Sequence, residues 1–143
     1  MSDEASGSPL GSTVNTEYFL LAPDVLLGVP YTNSLDDEVS AQANTAFQLG
    51  YASSIGKPCG IVILADRLAS QDASARRIYA EQMDPARILG TALIVNSPLA
   101  RAIGSFFLGL TRPRVKLKMV SSIDDALAWI DGLRAERNGG HDT

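Results

Sequence analysis

The sequence of 143 residues is poor in the side chains that most enzyme active sites use. It contains one cysteine, Cys59, and one histidine, His141, which lies close to the C-terminus. A single cysteine excludes a disulfide framework and any cysteine-rich metal site. A Ser-His-Asp arrangement would need His141, whose place in a terminal segment argues against that role. We therefore expect no catalytic residue, no metal site and no cofactor, and a protein that is not an enzyme.

Phosphate-binding loops and long apolar runs are missing as well. Neither GxGxxG nor GxxxxGKS occurs in the sequence. No run approaches the roughly 18–20 apolar residues that a bilayer-spanning helix needs, and the first residues carry neither a basic nor an apolar signal region. The paired carboxylates at 36–37 and 124–125 lie at expected helix starts, where the helix dipole favours them without a catalytic role. We expect a cytoplasmic protein.

The composition is that of one globular domain. Hydrophobic residues make up 45% of the chain and charged residues 20%, which suffices for a single core in a chain of this length. Residues 1–13 are rich in Ser and Gly, and residues 135–143 form a second polar run. We expect both segments to be disordered tails. The prediction is a single domain over residues 14–134.

Apolar runs predict the strands. Short runs over 17–21 and 25–29, separated by Ala-Pro-Asp, predict a β-hairpin. Longer runs over 59–65 and 88–95 do not alternate with polar residues, which is typical of central parallel strands covered on both faces. The full element order, β-β-α-β-α-β-α-β-α, predicts parallel pairs joined by right-handed crossovers. The expected fold is an α/β sandwich with about five strands.

Helical spacing predicts four helices between and after these strands. Ser34 is expected to cap the first helix, whose predicted apolar face is Val39, Ala43, Ala46, Phe47, Gly50 and Tyr51. The other predicted elements are helices over 70–83 and 97–110, a strand over 115–120 and a helix from Ser122. On the third helix, Phe106, Phe107 and Leu110 can face the core, whereas an exposed Leu108 would suit oligomerisation.

Acidic residues are absent between Asp84 and Asp124, a stretch that holds six basic residues. Four of these recur at every second position with apolar residues between them: Arg112, Arg114, Lys116 and Lys118. On a strand, this spacing places the cations on one face. They would form either a docking stripe for an anion or an edge strand protected by charge from aggregation. Nucleic acid is not expected, because the net charge is −4 and no aromatic residues interleave with the cations.

The segment 66–77 is a second candidate surface. It follows a predicted central strand, and ligands or partners commonly bind at the carboxyl ends of parallel strands. Ser70 and Ser74 are equally well explained as helix-capping residues. Cys59 follows Pro58 at the start of a predicted buried strand, and we interpret it as a small core residue rather than a reactive thiol.

Three blocks resemble the STAS-like, or SpoIIAA-like, family of small, mostly uncharacterised bacterial proteins. They are ALIVNSPLARAIGSFFLGLTRP over 92–113, SSIDDALAWI over 121–130, and Ala75-Arg76 together with Tyr79. The similarity covers about residues 17–133 and is most specific over 92–130. It implies the STAS architecture, a mixed sheet of about five strands with about four helices packed mainly on one side.

The resemblance also implies a partner surface. Anti-sigma-factor antagonists, the better understood relatives, are non-enzymatic switches that dock onto a kinase or anti-sigma partner and are phosphorylated on a serine at the start of the second helix. By position, that serine corresponds to Ser74. The relatives carry Asp-Ser-Gly, whereas here Ala73 separates Asp72 from Ser74 and no glycine follows. The implied phosphorylation or partner residues are Asp72, Ser74, Arg76, Arg77 and Tyr79.

Two functions suit a chain without catalytic residues. The leading hypothesis is a non-catalytic regulatory or protein-interaction module that binds an unidentified protein through residues 66–79. The alternative is binding of a small apolar or anionic ligand, or of an anionic lipid surface, in a sheet–helix pocket and along residues 112–118. The similarity of STAS-like domains to lipid-transfer folds of the CRAL-TRIO type motivates this alternative. A homodimer that uses the helices or the hairpin is also left open.

Overall fold

The computed structural model describes residues 8–98, 100, 101 and 113–141. The strands in this part of the chain are β1 (Gly11–Ser12), β2 (Thr16–Ala22), β3 (Val25–Pro30), β4 (Ser34–Asp36), β5 (Cys59–Ile63), β6 (Leu68–Gln71), β7 (Ile88–Ile94) and β8 (Leu117–Val120). The long helices are α1 (Glu38–Ile55), α2 (Ala73–Gln82) and α3 (Ile123–His141), and a short 3-10 turn spans Ala65–Arg67.

Six of these strands form one mixed sheet in the order β1-β2-β3-β5-β7-β8. The first three are antiparallel, and the predicted hairpin is confirmed by the pairing of Phe19 with Leu27. From β3 to β8 the strands are parallel, with Val62 opposite Ala92 near the centre. The two continuous apolar runs are therefore adjacent central strands, as predicted.

A separate two-stranded parallel sheet, formed by β4 and β6, was not predicted. Asp36 pairs with Gln71 in this small sheet. The prediction that Ser34 caps the first helix is wrong, because Ser34 lies in β4 and its backbone takes part in strand pairing. Ser70 lies in β6 for the same reason and does not cap the second helix. Neither β4 nor β6 has the apolar run that predicts a strand from a sequence.

Aspartates cap α1 and α2 in place of the predicted serines. The Asp37 carboxylate accepts a hydrogen bond from the Ser40 backbone N–H at 3.0 Å, and the Ser40 hydroxyl accepts one from the Asp37 N–H at 2.8 Å. This reciprocal pair is a capping box. The Asp72 carboxylate accepts from the Ala75 N–H at 2.9 Å. α1 ends at Gly56, whose φ of 70° is left-handed and easy for glycine.

Each face of the main sheet has its own core, because successive side chains of a strand point to opposite faces. Leu26 and Ile61 point to the face that α1 and α2 cover. Leu27 and Val62 point to the other face, where they lie in one cluster with Ile130 of α3. Two of the three long helices in the described part of the chain therefore share one face.

An ion pair ties α3 to the hairpin. The Arg134 guanidinium binds both oxygens of the Asp24 carboxylate at 3.0 to 3.2 Å. The Asp24 carbonyl also accepts a hydrogen bond from the Gly60 N–H at 2.9 Å. Bidentate pairs of this kind are stronger than ordinary hydrogen bonds, so the turn between β2 and β3 is fixed to both β5 and α3.

Secondary structure extends past both predicted domain limits. β1 lies at Gly11–Ser12, and α3 continues to His141. Disorder of the tails in solution stays a prediction. Of the helix predicted over 97–110, residues 98, 100 and 101 are helical. Its apolar residues Leu99, Ile103, Phe106, Phe107, Leu108 and Leu110 lie outside the described residues.

Two glycines allow α3 to lie close to the sheet. A Cβ on Gly60 would lie 2.7 Å from the nearest side-chain atom of Ile130, and one on Gly90 would lie 2.5 Å from Leu133. Contacts this short force the helix or the strand to shift. Gly50 on α1 is exposed, and a Cβ there would meet nothing within 4 Å.

Gly60→Ala is expected to lower the free energy of unfolding by about 1–3 kcal/mol, because the added methyl group overpacks the interface with α3. Gly50→Ala is the matched control, and the same methyl group should raise that free energy by up to about 1 kcal/mol through helix propensity. Chemical denaturation of both variants measures the difference. Equal effects of the two substitutions would contradict the close approach of α3 at Gly60.

Candidate functional site

A cavity of about 510 Å³ lies between the main sheet and α2. Ile63 of β5, Leu93 of β7 and Met119 of β8 line it from the sheet, and Tyr79 and Met83 line it from the α2 side. Small-molecule pockets usually measure about 300–1,000 Å³ and are mostly apolar with a few placed polar groups. The cavity therefore has the size and lining of a ligand pocket.

Polar side chains occupy one end of the cavity, with a buried carboxylate at their centre. Asp36 lines the cavity and is only 4% exposed. Four donors surround it: the Ser40 hydroxyl at 2.6 Å, the Tyr79 hydroxyl at 3.1 Å, the Asn15 amide at 3.4 Å and the Gln71 amide at 2.9 Å. The first three bind Oδ1, and Gln71 binds Oδ2. No salt bridge within the described residues includes Asp36.

Asn44 of α1 joins this carboxylate to a second tyrosine. Its amide nitrogen donates to the Tyr79 hydroxyl at 3.1 Å and to Asn15 at 2.9 Å. Its amide oxygen accepts from the Tyr18 hydroxyl at 3.0 Å, which in turn accepts from Gln48 at 2.9 Å. Each tyrosine hydroxyl therefore both donates and accepts. Such mutual satisfaction is what buried polar groups require, and it fixes the network in one arrangement.

The apolar face predicted for α1 is only partly correct, because Phe47 and Tyr51 pack against the core but other members do not. The predicted apolar face includes Val39 and Ala46, both of which are exposed. The buried face instead carries Ser40, Asn44 and Gln48. These polar residues recur every fourth position, which places them on one side of a helix. That polar spacing was the signal available in the sequence, and a search for apolar residues alone passes over it.

Burial raises the pKa of both Tyr18 and Tyr79. The charge of Asp36 raises both further, while the hydrogen bonds from Gln48 to Tyr18 and from Asn44 to Tyr79 act in the opposite direction. The two hydroxyls therefore stay protonated where exposed tyrosines ionise. They serve the site as hydrogen-bond donors rather than as bases.

The structure divides the residues of the implied partner surface between the outside and the cavity. Asp72 and Arg77 are exposed, and Ser74 is half-buried at the second position of α2. Arg76 lines the cavity and donates to a backbone carbonyl of β6 at 2.7 Å. Tyr79 also lines the cavity, through the hydroxyl that binds Asp36. A partner role for these residues stays a prediction.

The described residues of the predicted basic stripe have different environments. Arg112 lies outside the described residues. The Arg114 guanidinium donates to the Glu81 carbonyl of α2 at 3.2 Å. Lys116 forms a salt bridge with Glu136 of α3 at 3.3 Å. Lys118 is exposed on β8. Because β8 begins only at Leu117, Arg114 and Lys116 both precede the strand, and strand alternation does not align them with Lys118. Docking of an anion along this segment stays a prediction.

Three apolar side chains are exposed beside the small sheet, and we call Tyr31, Leu35 and Val39 the β4 patch. Leu35 is 62% exposed and Val39 is 66% exposed. Leu35 pairs with Ser70 of β6. The Asp72 N–H donates a hydrogen bond to the Asp36 carbonyl at 3.0 Å. The β4 patch therefore adjoins the start of α2. Sequence reasoning missed it because β4 itself was not predicted.

Cys59 is buried in β5, which confirms its predicted place in the core. Burial raises the pKa of its thiol to about 11, so the thiolate that reacts with electrophiles is scarce at neutral pH. Within the described ranges, no three His, Cys, Asp or Glu residues are placed to hold a metal ion. None of the helices described is long and apolar enough to cross a membrane.

Comparison with known proteins places this geometry in a fold class. The solved structure of the anti-sigma factor antagonist SpoIIAA in its unphosphorylated form is similar, with a TM-score of 0.55 and 15% identity. The match covers 82% of this chain and 98% of that chain. It confirms the STAS-like fold, with six strands in the main sheet instead of about five and three long helices in the described residues instead of about four.

The family itself is identified by sequence. The family described as Domain of unknown function (DUF7793) matches residues 40–134, about two thirds of the chain. The chain therefore belongs to the DUF7793 family. No curated protein matches the sequence.

Tyr18 and Tyr79 are expected to ionise only when the fold is lost. Their folded-state pKa values are raised above the unfolded value of about 10. Their contribution to stability is therefore complete below pH ~10 and decreases as pH rises above it. Alkaline titration, followed by tyrosinate absorbance and circular dichroism together, measures the order of events. Ionisation of all four tyrosines with a native dichroism spectrum would contradict the buried network.

Proposed function

We propose that the protein is a non-catalytic regulatory module of STAS-like type, which binds a protein partner through the β4 patch and the first turn of α2. The observation that carries the proposal is the exposure of Leu35 and Val39, each more than 60% exposed, on a well-anchored part of the fold. The likeness to an anti-sigma factor antagonist supports it, because that protein is a regulator.

The backbone beneath the β4 patch is held in place from inside the molecule. Leu35 points outward while the next residue, Asp36, points into the buried network. The Asn15 side-chain amide donates to the Leu35 carbonyl at 3.1 Å. A surface that is already ordered loses little conformational entropy when a partner binds, which favours affinity.

A polar margin surrounds the β4 patch. Asp37, Glu38 and Asp72 are exposed beside it. Protein interfaces commonly combine an apolar centre with a polar, solvent-accessible rim. The β4 patch and these carboxylates have that composition, and a partner should present an apolar group at its own centre.

Phosphorylation of Ser74 is the finer part of the proposal. Ser74 is the second residue of α2, where the helix dipole favours an added anion. A phosphate there would introduce negative charge beside Asp72 and next to the β4 patch. The similar SpoIIAA structure is that of the unphosphorylated form, which supports phosphorylation as the type of regulation.

Leu35→Asp is expected to weaken partner binding at least about tenfold, because a charge buried at the centre of an interface is left unpaired. Crosslinking and co-purification from the native cells, with quantitative mass spectrometry, measures this. Leu20→Asp is the matched control, since Leu20 is also exposed but lies near the far end of β2. A partner must be retained by the Leu20 variant and lost by the Leu35 variant; retention by both would sink the proposal.

Ser74→Asp is expected to weaken binding of that same partner about tenfold, whereas Ser74→Ala should bind like the wild type. The added charge must lose its hydration when a partner covers the first turn of α2, which is unfavourable beside an apolar patch. Ser53→Asp, which is exposed near the C-terminal end of α1 and away from the β4 patch, controls for charge alone. Mass spectrometry of protein isolated from native cells tests whether Ser74 is modified. An unmodified Ser74 together with unchanged affinity of the Asp variant would refute this part of the proposal.

A further inference from the structure

We propose that the cavity binds a small amphipathic molecule with an apolar body over β7 and β8 and a protonated amine at the Asp36 carboxylate. This site is distinct from the β4 patch, because Tyr31, Leu35 and Val39 are not among the residues that line the cavity. The cavity reaches the surface at Asp66, Ser70 and Ser97, which line it and are exposed. A small molecule therefore has a path of entry.

The apolar half of the site is formed by alternate residues of two neighbouring strands. They are Leu93 on β7, Val95 directly after β7, and Leu117 and Met119 on β8. Alternate residues of a strand share one face, so these side chains form a continuous apolar wall. Ala80 and Met83 line the cavity from the α2 side. An alkyl chain or ring fits between these two walls.

The polar half of the cavity is better suited to a ligand group that donates hydrogen bonds than to one that accepts them. The Asp36 Oδ2 atom accepts one hydrogen bond, from Gln71 at 2.9 Å, and a carboxylate oxygen has room for a second. The Tyr18 and Tyr79 hydroxyls already donate within the network, to Asn44 and to Asp36. The most available group in this half is therefore a negatively charged acceptor.

Charge complementarity selects the class of ligand. Among the described lining residues, the acidic and basic side chains are those of Asp36, Asp66 and Arg76. Arg76 is already engaged with β6 through its hydrogen bond at 2.7 Å, and no described salt bridge neutralises Asp36. A buried charge without a counter-ion is costly, so an ammonium group is favoured. A carboxylate or phosphate head would be repelled by Asp36, whereas the sequence predicts a small apolar or anionic ligand for the pocket.

Three probes with one alkyl chain and different heads test the site: n-octylamine, n-octanol and octanoate. Calorimetric titration of the full chain at pH 7, below the self-association concentrations of the probes, should show one octylamine per chain. Octylamine should bind about tenfold more tightly than octanol, since a charge-assisted hydrogen bond replaces a neutral one. Octanoate should bind most weakly. Equal affinities, a preference for octanoate, or no binding at all would overturn the proposal.

Three variants locate the binding. Asp36→Asn keeps the shape and removes the charge, so octylamine should lose its advantage over octanol. Met119→Trp fills the cavity away from the polar network and should reduce binding of every probe. Lys118→Trp is its matched control, because the adjacent position on β8 points to the opposite face, and it should bind like the wild type. Circular dichroism identifies folded variants. An unchanged octylamine preference in folded Asp36→Asn, or unchanged binding of all three probes by folded Met119→Trp, would overturn the assignment.

Discussion

The carboxylate of Asp36 is held by donors from four separate segments, and the positions of those segments depend on it. Asn15 precedes β2, Ser40 lies on α1, Gln71 on β6 and Tyr79 on α2. Removing a carboxylate from water is unfavourable unless its lone pairs are satisfied. Since no salt bridge in the described residues compensates for its burial, the hydrogen bonds must do so together. The small sheet and the two helices therefore cannot shift independently of one another.

The residue that carries this carboxylate is adjacent in the chain to a residue of the exposed β4 patch. Leu35 and Asp36 are consecutive residues of β4, one exposed in the β4 patch and one lining the cavity. A group that binds Asp36 and a partner that covers Leu35 would therefore act on one strand of three residues. Thermodynamic linkage requires that any effect of one on the affinity of the other be reciprocal. β4 is thus the element through which a small molecule and a protein partner would communicate.

The sequence was informative where structure depends on local pattern. The hairpin, the central strands β5 and β7 and the buried place of Cys59 follow from apolar runs and turn residues, and all are observed. β4 and β6 were missed because each is short and mostly polar, and their pairing joins residues more than 30 positions apart. The buried face of α1 was missed for a related reason. Asn44 is satisfied by Asn15 and Tyr79, partners that only the folded chain brings near.

The ion pair between Asp24 and Arg134 bears on how the chain folds. The two residues are 110 positions apart, so their pairing closes a loop that spans most of the domain. Closing so long a loop costs chain entropy before its contacts can repay it. α3 also packs on strands that are drawn from both ends of that loop. The contacts within the hairpin are local, whereas the contact between α3 and the hairpin joins distant parts of the chain, and contacts of such long range slow folding.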